Sequence, residues 1–343
     1  ALEKITVEGE VLDASGQLVT DFTGIVNPTV KDSKVTVTCL KNSNKDDSPA
    51  FTFTDYPNTI FIGNDSVRNG KFSFTFTVPK DISYSNLQGK MNLYAVDTEN
   101  GHEAQGNFDN FIVGGTSDTA ETDTIGPEIR ALYLNDTTFV DGGQVNTTPY
   151  FVAELWDKSG VNITGSSVGH DMMLVIDEST VLSYNLNSYY ELLPGEEGAG
   201  IVKFPIPALE PGKHTAEFWV WDIQNNSTVR TFTFEVVEGL KPFLFDVIAT
   251  PGIAREQVTF HLMHNRPESR MRVGIMVYDL AGRQLWKHEE SGTSGLFENY
   301  TVSWDLTCGG ARMRPGVYIY RAAISTDNSK DATKARKFII LGE

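Results

Sequence analysis

The sequence predicts an all-β chain of three consecutive immunoglobulin-like β-sandwich domains, and three observations carry that expectation. Apolar residues fall in short runs of roughly four to six, the length of strands rather than helices. Within those runs apolar and polar residues alternate, which places the apolar members on one face of a sheet. Gly, Pro, Asn and Asp punctuate the intervals, as the turns of a sandwich require. A length of 343 residues is enough for two or three separate cores. Hydrophobic residues at 40% and charged residues at 21% give an ordinary globular balance rather than a disordered one.

The first domain is expected over 1–113. In Lys71-Phe-Ser-Phe-Thr-Phe-Thr-Val78, Phe72, Phe74, Phe76 and Val78 share one face with Ser and Thr on the other, and Pro79 closes the strand. Strands at 35–40 and 91–96 show the same period, with turn chemistry at Asp13-Ala-Ser-Gly16, Asn69-Gly70 and Glu99-Asn100-Gly101. Residues 114–127 combine Gly, Ser, Thr and acidic residues with almost no apolar anchor, so they read as a linker. The second domain, 128–237, is expected to hold strands at 129–134, 150–156, 172–176, 201–206, 213–221 and 228–237. Trp219 and Trp221 lie two apart on one of these and share a face. A short hinge at 238–242 precedes the third domain, 243–343. There Met271, Val273, Ile275 and Val277 line one face of a hairpin that turns through Asp279-Leu-Ala-Gly282. The closing hairpin runs from Arg314-Pro-Gly316 into a strand at 317–324, a polar loop and a strand at 337–341.

Charge narrows the function classes. Lys plus Arg number 28 against 45 Asp plus Glu, a net charge of −17 that repels nucleic acid and anionic membrane. No run approaches the roughly 18 apolar residues of a spanning helix. The chain opens directly on a strand at Ala1-Leu-Glu-Lys-Ile-Thr6, with no export signal, and is expected to be the tail of something longer. Cys39 and Cys308 fall in what read as different domains, so no intradomain disulfide is expected, and Cys39 is expected to pack as a small hydrophobe in its strand.

Three features of the third domain fit a known pattern: the strand, Asp279-Leu-Ala-Gly-Arg283 turn and strand; Trp304-Asp305 before the Gly-rich Cys308-Gly-Gly310; and Pro315-Gly-Val-Tyr-Ile-Tyr320 ending in Lys337-Phe-Ile-Ile-Leu341. This resembles the C-terminal domain of proteins exported by the type IX secretion system of the Bacteroidetes. The fold has a wider relative in the immunoglobulin-like domain of flagellar hook-capping proteins, so fold alone does not fix the route. In the middle domain, Ile125-Gly-Pro127, Leu132-Tyr-Leu-Asn-Asp136, Asp141-Gly-Gly143, Asp157-Lys-Ser-Gly-Val-Asn162, Val168-Gly-His-Asp171, Leu186-Asn-Ser-Tyr-Tyr190 and Trp221-Asp-Ile-Gln-Asn-Asn226 resemble, in this order, the region behind the peptidase domain of PorU-type sortases. These are similar to gingipains, cysteine peptidases with a Cys/His pair.

The resemblance implies a non-catalytic C-terminal region at the cell surface, associated with the outer membrane. It would dock a peptidase on a PorV-like outer-membrane barrel, within a partner set that extends to PorQ, PorZ and, through the peptidase, the secretion domains of cargo. Cargo would be cleaved and joined to anionic lipopolysaccharide. Arg314, Pro315, Gly316, Tyr318, Tyr320, Lys337, Phe338 and Ile340 are the residues it nominates for the partner. The competing reading is an exported adhesin or glycan-binding tail, with Trp219, Trp221, Tyr189 and Tyr190 as a sugar platform, although aromatics on alternating strands are more often core.

Other candidate chemistry is sparse. A cysteine peptidase needs a thiolate beside a His, and neither Cys39, in a strand, nor Cys308, in a Gly-rich turn, carries such a signature. No catalytic residue is expected. His170 beside Asp171 is the most suggestive local motif, but a lone His reads first as a loop residue bonded to backbone. Asp157, Ser159, Asn162 and Asp222, with Asn225 and Asn226, are oxygen-bearing loop residues that would suit calcium if they met at one end of the sandwich. Asx residues also build turns without any metal. Triplets such as Asn135-Asp-Thr137 and Asn226-Ser-Thr228 read as turns rather than glycan acceptors.

Overall fold

The computed structural model describes residues 1–41, 49–118, 120, 122–165, 169–193, 196, 198–326 and 329–342. Val168 of the His170 motif and Thr119 and Glu121 of the linker lie outside the described residues. The fold is all-β, as the alternation predicts, with sheets that pair into sandwiches.

At the N-terminus, Lys4–Glu10 pairs antiparallel with Lys71–Thr77. A five-stranded sheet runs Glu103–Phe108, Lys90–Asp97, Gly24–Lys31 and Thr59–Ile62, with Asp65–Val67 also on Gly24–Lys31. Phe72, Phe74 and Phe76 bury one face of their strand beside Val26, Val30 and Ala95. Phe61 stacks on Phe76 at 4.6 Å and on Phe74 at 5.8 Å. The period-two pattern therefore fixed both the strand and its inner face.

In the middle stretch a four-stranded sheet has the order Glu128–Leu134, Tyr150–Trp156, Ala199–Pro205, Tyr190–Leu192. A five-stranded sheet has the order Gln144–Val145, Ser227–Val236, Gly212–Trp221, Met173–Ile176, Ser183–Asn185. Ala216, Phe218 and Val220 are buried. Trp219 and Trp221 therefore point away from the core and are half-buried on the other face, against the expectation that they are core.

At the C-terminus, Leu244–Thr250, Val258–His264 and Tyr300–Trp304 form one sheet. The other has the order Ile253–Ala254, Ala332–Ile340, Gly316–Thr326, Met271–Tyr278, Gln284–Gly292. Met271, Val273, Ile275 and Val277 face the core as predicted, with Phe260, Trp304, Tyr320 and Phe338 beside them. The final strand starts at Ala332, five residues before the predicted 337. Its first half pairs fully with Gly316–Thr326 while exposing polar side chains, so hydropathy alone hid it.

By internal contacts the chain forms two compact units. One comprises Ala1–Leu132, Ala153–Lys203 and Thr215–Phe232; the other comprises Tyr133–Val152, Phe204–His214 and Thr233–Glu343. The middle stretch contributes to both.

Candidate functional site

The chemistry-bearing side chains of the first unit gather where strands of the middle stretch end in Trp-Asp pairs. Tyr150–Trp156 runs out at Asp157, and Gly212–Trp221 runs out at Asp222. An Asp at a strand end offers its carboxylate to the backbone of the turn that follows. Asp157 Oδ1 accepts from the N–H groups of Ser159 (2.8 Å) and Gly160 (2.9 Å) and from the Ser159 hydroxyl (2.7 Å). Asp222 Oδ1 accepts from the N–H groups of Gln224 and Asn226, and its Oδ2 from Asn226 Nδ2 at 2.6 Å. Burial raises both carboxyls; for Asp157 the Asp123 charge adds to it, and for Asp222 the Asp157 charge does.

Asp123, from the linker, joins this pair. One ligand oxygen from each of Asp123, Asp157 and Asp222 lies within 4.8 Å of the others. The linker is held in place: the Asp123 N–H donates to Gln224 Oε1 (3.0 Å), and Asn226 Nδ2 donates to the Asp123 carbonyl (3.1 Å). Of the four sequence-nominated metal ligands, Asp157 and Asp222 meet. The Ser159 hydroxyl is turned onto Asp157. Asn162 is engaged elsewhere, its Oδ1 with Thr164 and its Nδ2 with Asp81. No sequence signal pointed to Asp123, an acidic residue in a polar linker.

Asp81 anchors a second cluster. It is 8% exposed and accepts from His170 Nδ1 (2.6 Å), Asn225 Nδ2 (2.8 Å) and Asn162 Nδ2 (3.3 Å). His170 also lies against the Trp221 ring at 4.5 Å. The expectation that His170 bonds to backbone is thus corrected: its partner is a carboxylate 89 residues away, and the adjacent Asp171 instead accepts from Asn187 Nδ2. A buried carboxylate collects whatever donors the fold brings to it, and sequence adjacency does not decide that.

Cys39 is exposed, at the end of Val35–Thr38, so it does not pack as expected. The Cys308 thiol donates to the Leu285 carbonyl. Both cysteines are free.

Among the partner-binding nominees, Arg314, Pro315 and Lys337 are exposed and Gly316 half-buried. Tyr318, Tyr320, Phe338 and Ile340 are 7%, 1%, 1% and 1% exposed. Their side chains belong to the C-terminal hydrophobic core, because alternation turns every second residue of a hairpin inward. The Tyr320 hydroxyl donates to the Val247 carbonyl and the Tyr318 hydroxyl to the Arg314 carbonyl. Of the proposed sugar platform, Tyr190 is buried and Tyr189 is 39% exposed. Among the described residues no helix is long and apolar enough to cross a membrane.

The chain is similar to dimeric latent PorU from Porphyromonas gingivalis, as seen in a crystal structure, with 37% identity and a TM-score of 0.40 over 100% of this chain and 32% of that one. The likeness runs along the whole of this chain. The chain spans about a third of the length of that relative. The Ig1-2 module of the Drosophila receptor protein tyrosine phosphatase DLAR aligns at 9% identity and a TM-score of 0.25, over 63% of this chain and 98% of that one. The FN1-FN3 domains of chicken CNTN1 align at 8% and 0.22, over 98% and 97%. No protein-family model and no curated protein matches the chain.

Proposed function

We propose that this chain is the non-catalytic C-terminal region of a PorU-like sortase of type IX secretion, working at the cell surface in association with the outer membrane. The observation that carries the reading is 37% identity to PorU along the whole chain. The terminal hairpin, with its Arg-Pro-Gly entry, supports it as the part that meets a PorV-like outer-membrane barrel. PorQ and PorZ complete the proposed partner set. The middle and first domains then hold a peptidase near the export channel, where cargo secretion domains are cut and cargo is joined to anionic lipopolysaccharide. In this reading the chain's own contribution is docking and positioning.

Contact with the barrel would fall on turn and edge residues, since the inward members of the hairpin are committed to the core. Arg314, Pro315 and Lys337 are the exposed nominees. Binding of the 343-residue chain, with and without residues 243–343, to the detergent-solubilised barrel tests the proposal. Loss of binding on truncation, with the remainder folded by circular dichroism, is the expected result. Undiminished binding by the truncated chain would overturn it.

A further inference from the structure

We propose that Asp123, Asp157 and Asp222 form a calcium site at the loop end of the first unit. Their ligand oxygens lie within 4.8 Å of one another. Two oxygens on opposite sides of one calcium, each at about 2.4 Å, are about 4.8 Å apart, so the three fit the coordination sphere of a single ion. The donor set is all oxygen, which suits a hard cation and not zinc or copper.

The electrostatics point the same way. Asp157 and Asp222 are 3% and 0% exposed, and buried carboxylates normally sit beside a cation. Here the strongest charge acting on Asp157 is Asp123, and the strongest on Asp222 is Asp157, both repulsive. The carboxylates are also oriented in advance. The turn donors occupy Oδ1 of Asp157 and Oδ1 of Asp222, Asn226 Nδ2 holds Asp222 Oδ2 at 2.6 Å, and the Ile125 N–H bonds Oδ1 of Asp123 at 3.0 Å. That shell fixes each group, while each carboxylate, with about four lone-pair sites, keeps capacity for an ion.

Tyr190 is the independent observation. It is 6% exposed and its hydroxyl has no hydrogen-bond partner. Its ring crosses Gly200, where a Cβ would collide with the hydroxyl. Gly198, in the turn that leads into this strand, packs against the Asp157 carbonyl, and the Asp157 N–H donates to the Gly198 carbonyl at 3.0 Å. The sheet order places Ala199–Pro205 between Tyr190–Leu192 and Tyr150–Trp156, so a ring that crosses Gly200 carries its hydroxyl toward the strand that ends at Asp157; burial, then the Asp157 charge, raises its pKa. A buried hydroxyl without an acceptor is unfavourable; a water carried by the ion supplies one. An ion here would tie the linker, through Asp123, to two strand ends.

The test uses the 343-residue chain stripped with a chelator and titrated with calcium by calorimetry, and with terbium by luminescence excited through Trp156 and Trp221, which directly precede two of the ligands. We expect one calcium per chain with Kd on the order of 10⁻⁵ to 10⁻³ M, terbium emission that calcium displaces, and a higher Tm with calcium. Asp123→Asn and Asp157→Asn should each weaken binding at least about tenfold, since each removes a charged ligand. Asp305→Asn, in the third Trp-Asp pair, should leave binding unchanged. Absence of calcium binding at about 5 mM, beyond the weakest extracellular modules, overturns the proposal. So does binding that survives both ligand variants. Should Asp157→Asn fail to fold, Asp123→Asn decides, because Asp123 lies in the half-exposed linker.

Discussion

Arg266 is the side chain whose removal should reveal most about how the C-terminal strands are held to the connector before them. It is 1% exposed. Its Nη1 donates to the Asn265 carbonyl (3.0 Å) and to Asn265 Oδ1 (2.8 Å), and its Nη2 donates to the carbonyls of Leu240 (3.1 Å) and Lys241 (3.3 Å). Two of these acceptors lie in the connector 238–242, so the guanidinium fixes a segment that its composition marks as a hinge. Burial lowers its pKa to about 10, which leaves it charged at neutral pH. Arg266→Ala strips donors from three backbone carbonyls, each worth about 1–3 kcal/mol if it stays dry. Relief of the arginine's own burial and partial entry of water offset part of that, so the net cost should be about 2–4 kcal/mol. Arg266→Met keeps most of the stem volume without the donors and separates packing from hydrogen bonding. Urea unfolding of both variants, with limited proteolysis across 238–242, measures the effect. Loss below about 0.5 kcal/mol in both, or full stability in the Met variant, would refute the reasoning.

His264 should make the same region acid-sensitive. Its Nδ1 accepts from the Arg266 N–H (3.1 Å), and Nε2 bonds the Ser294 hydroxyl (2.9 Å), so the neutral ring is the one the fold holds; burial, then the Arg266 charge, lowers its pKa to about 4. A folded pKa below the unfolded value near 6.5 means the unfolded chain binds the extra proton. The contribution is complete above about pH 6.5 and falls away as pH drops toward 4, by about 2 kcal/mol between about pH 7 and pH 5; His264→Gln should flatten that part of the profile in pH-dependent melts. Asp81→Ala orphans three donors, should cost about 2–4 kcal/mol, and should speed cleavage within 114–127; unchanged melting and cleavage would show the cluster to be incidental. Arg314→Glu with Lys337→Glu should leave stability within about 0.5 kcal/mol, since both are exposed, while weakening barrel binding about tenfold; equal affinity would move the docking surface elsewhere.

What the sequence made legible was whatever a period of two could express. The strand Tyr150–Trp156 falls on its predicted limits, and the inward faces of Lys71–Thr77 and Met271–Tyr278 follow the alternation. Failures came where a side chain's surroundings depend on distant chain. Trp219 and Trp221 alternate with smaller core residues, and only sheet packing tells which face is inside. Ala332 to Arg336 pair through backbone with polar side chains outward, invisible to hydropathy. Asp157 and Asp222 were legible as turn carboxylates because Asx turns are local; their convergence with Asp123 was not, because no spacing encodes a meeting across 34 and 99 residues. His170 drew notice for its neighbour Asp171, yet the pairing depends on Asp81.

The linker shows how composition and structure diverge. Few apolar residues and many Gly, Ser and Thr mean that 114–127 cannot form a core, and that remains true: Ile125 is 74% exposed. A segment without a core can still be ordered by hydrogen bonds to chain that is already folded. Asp123 is bonded through both its N–H and its carbonyl, Ser117 donates to the Ala1 carbonyl, and the Ala1 ammonium donates to the Gly115 carbonyl. Gly126 packs so closely on Ser227 that a Cβ would lie 2.6 Å from its carbonyl oxygen, and Pro127 is buried. Each anchor is polar or steric, worth about 1 kcal/mol or less alone, and none leaves a hydrophobic trace in the sequence. Their sum joins 1–113 to the strand ends at Asp157 and Asp222 within one compact unit. For a region proposed to hold a peptidase in position, such a linker transmits placement where a Gly/Ser tether would lose it.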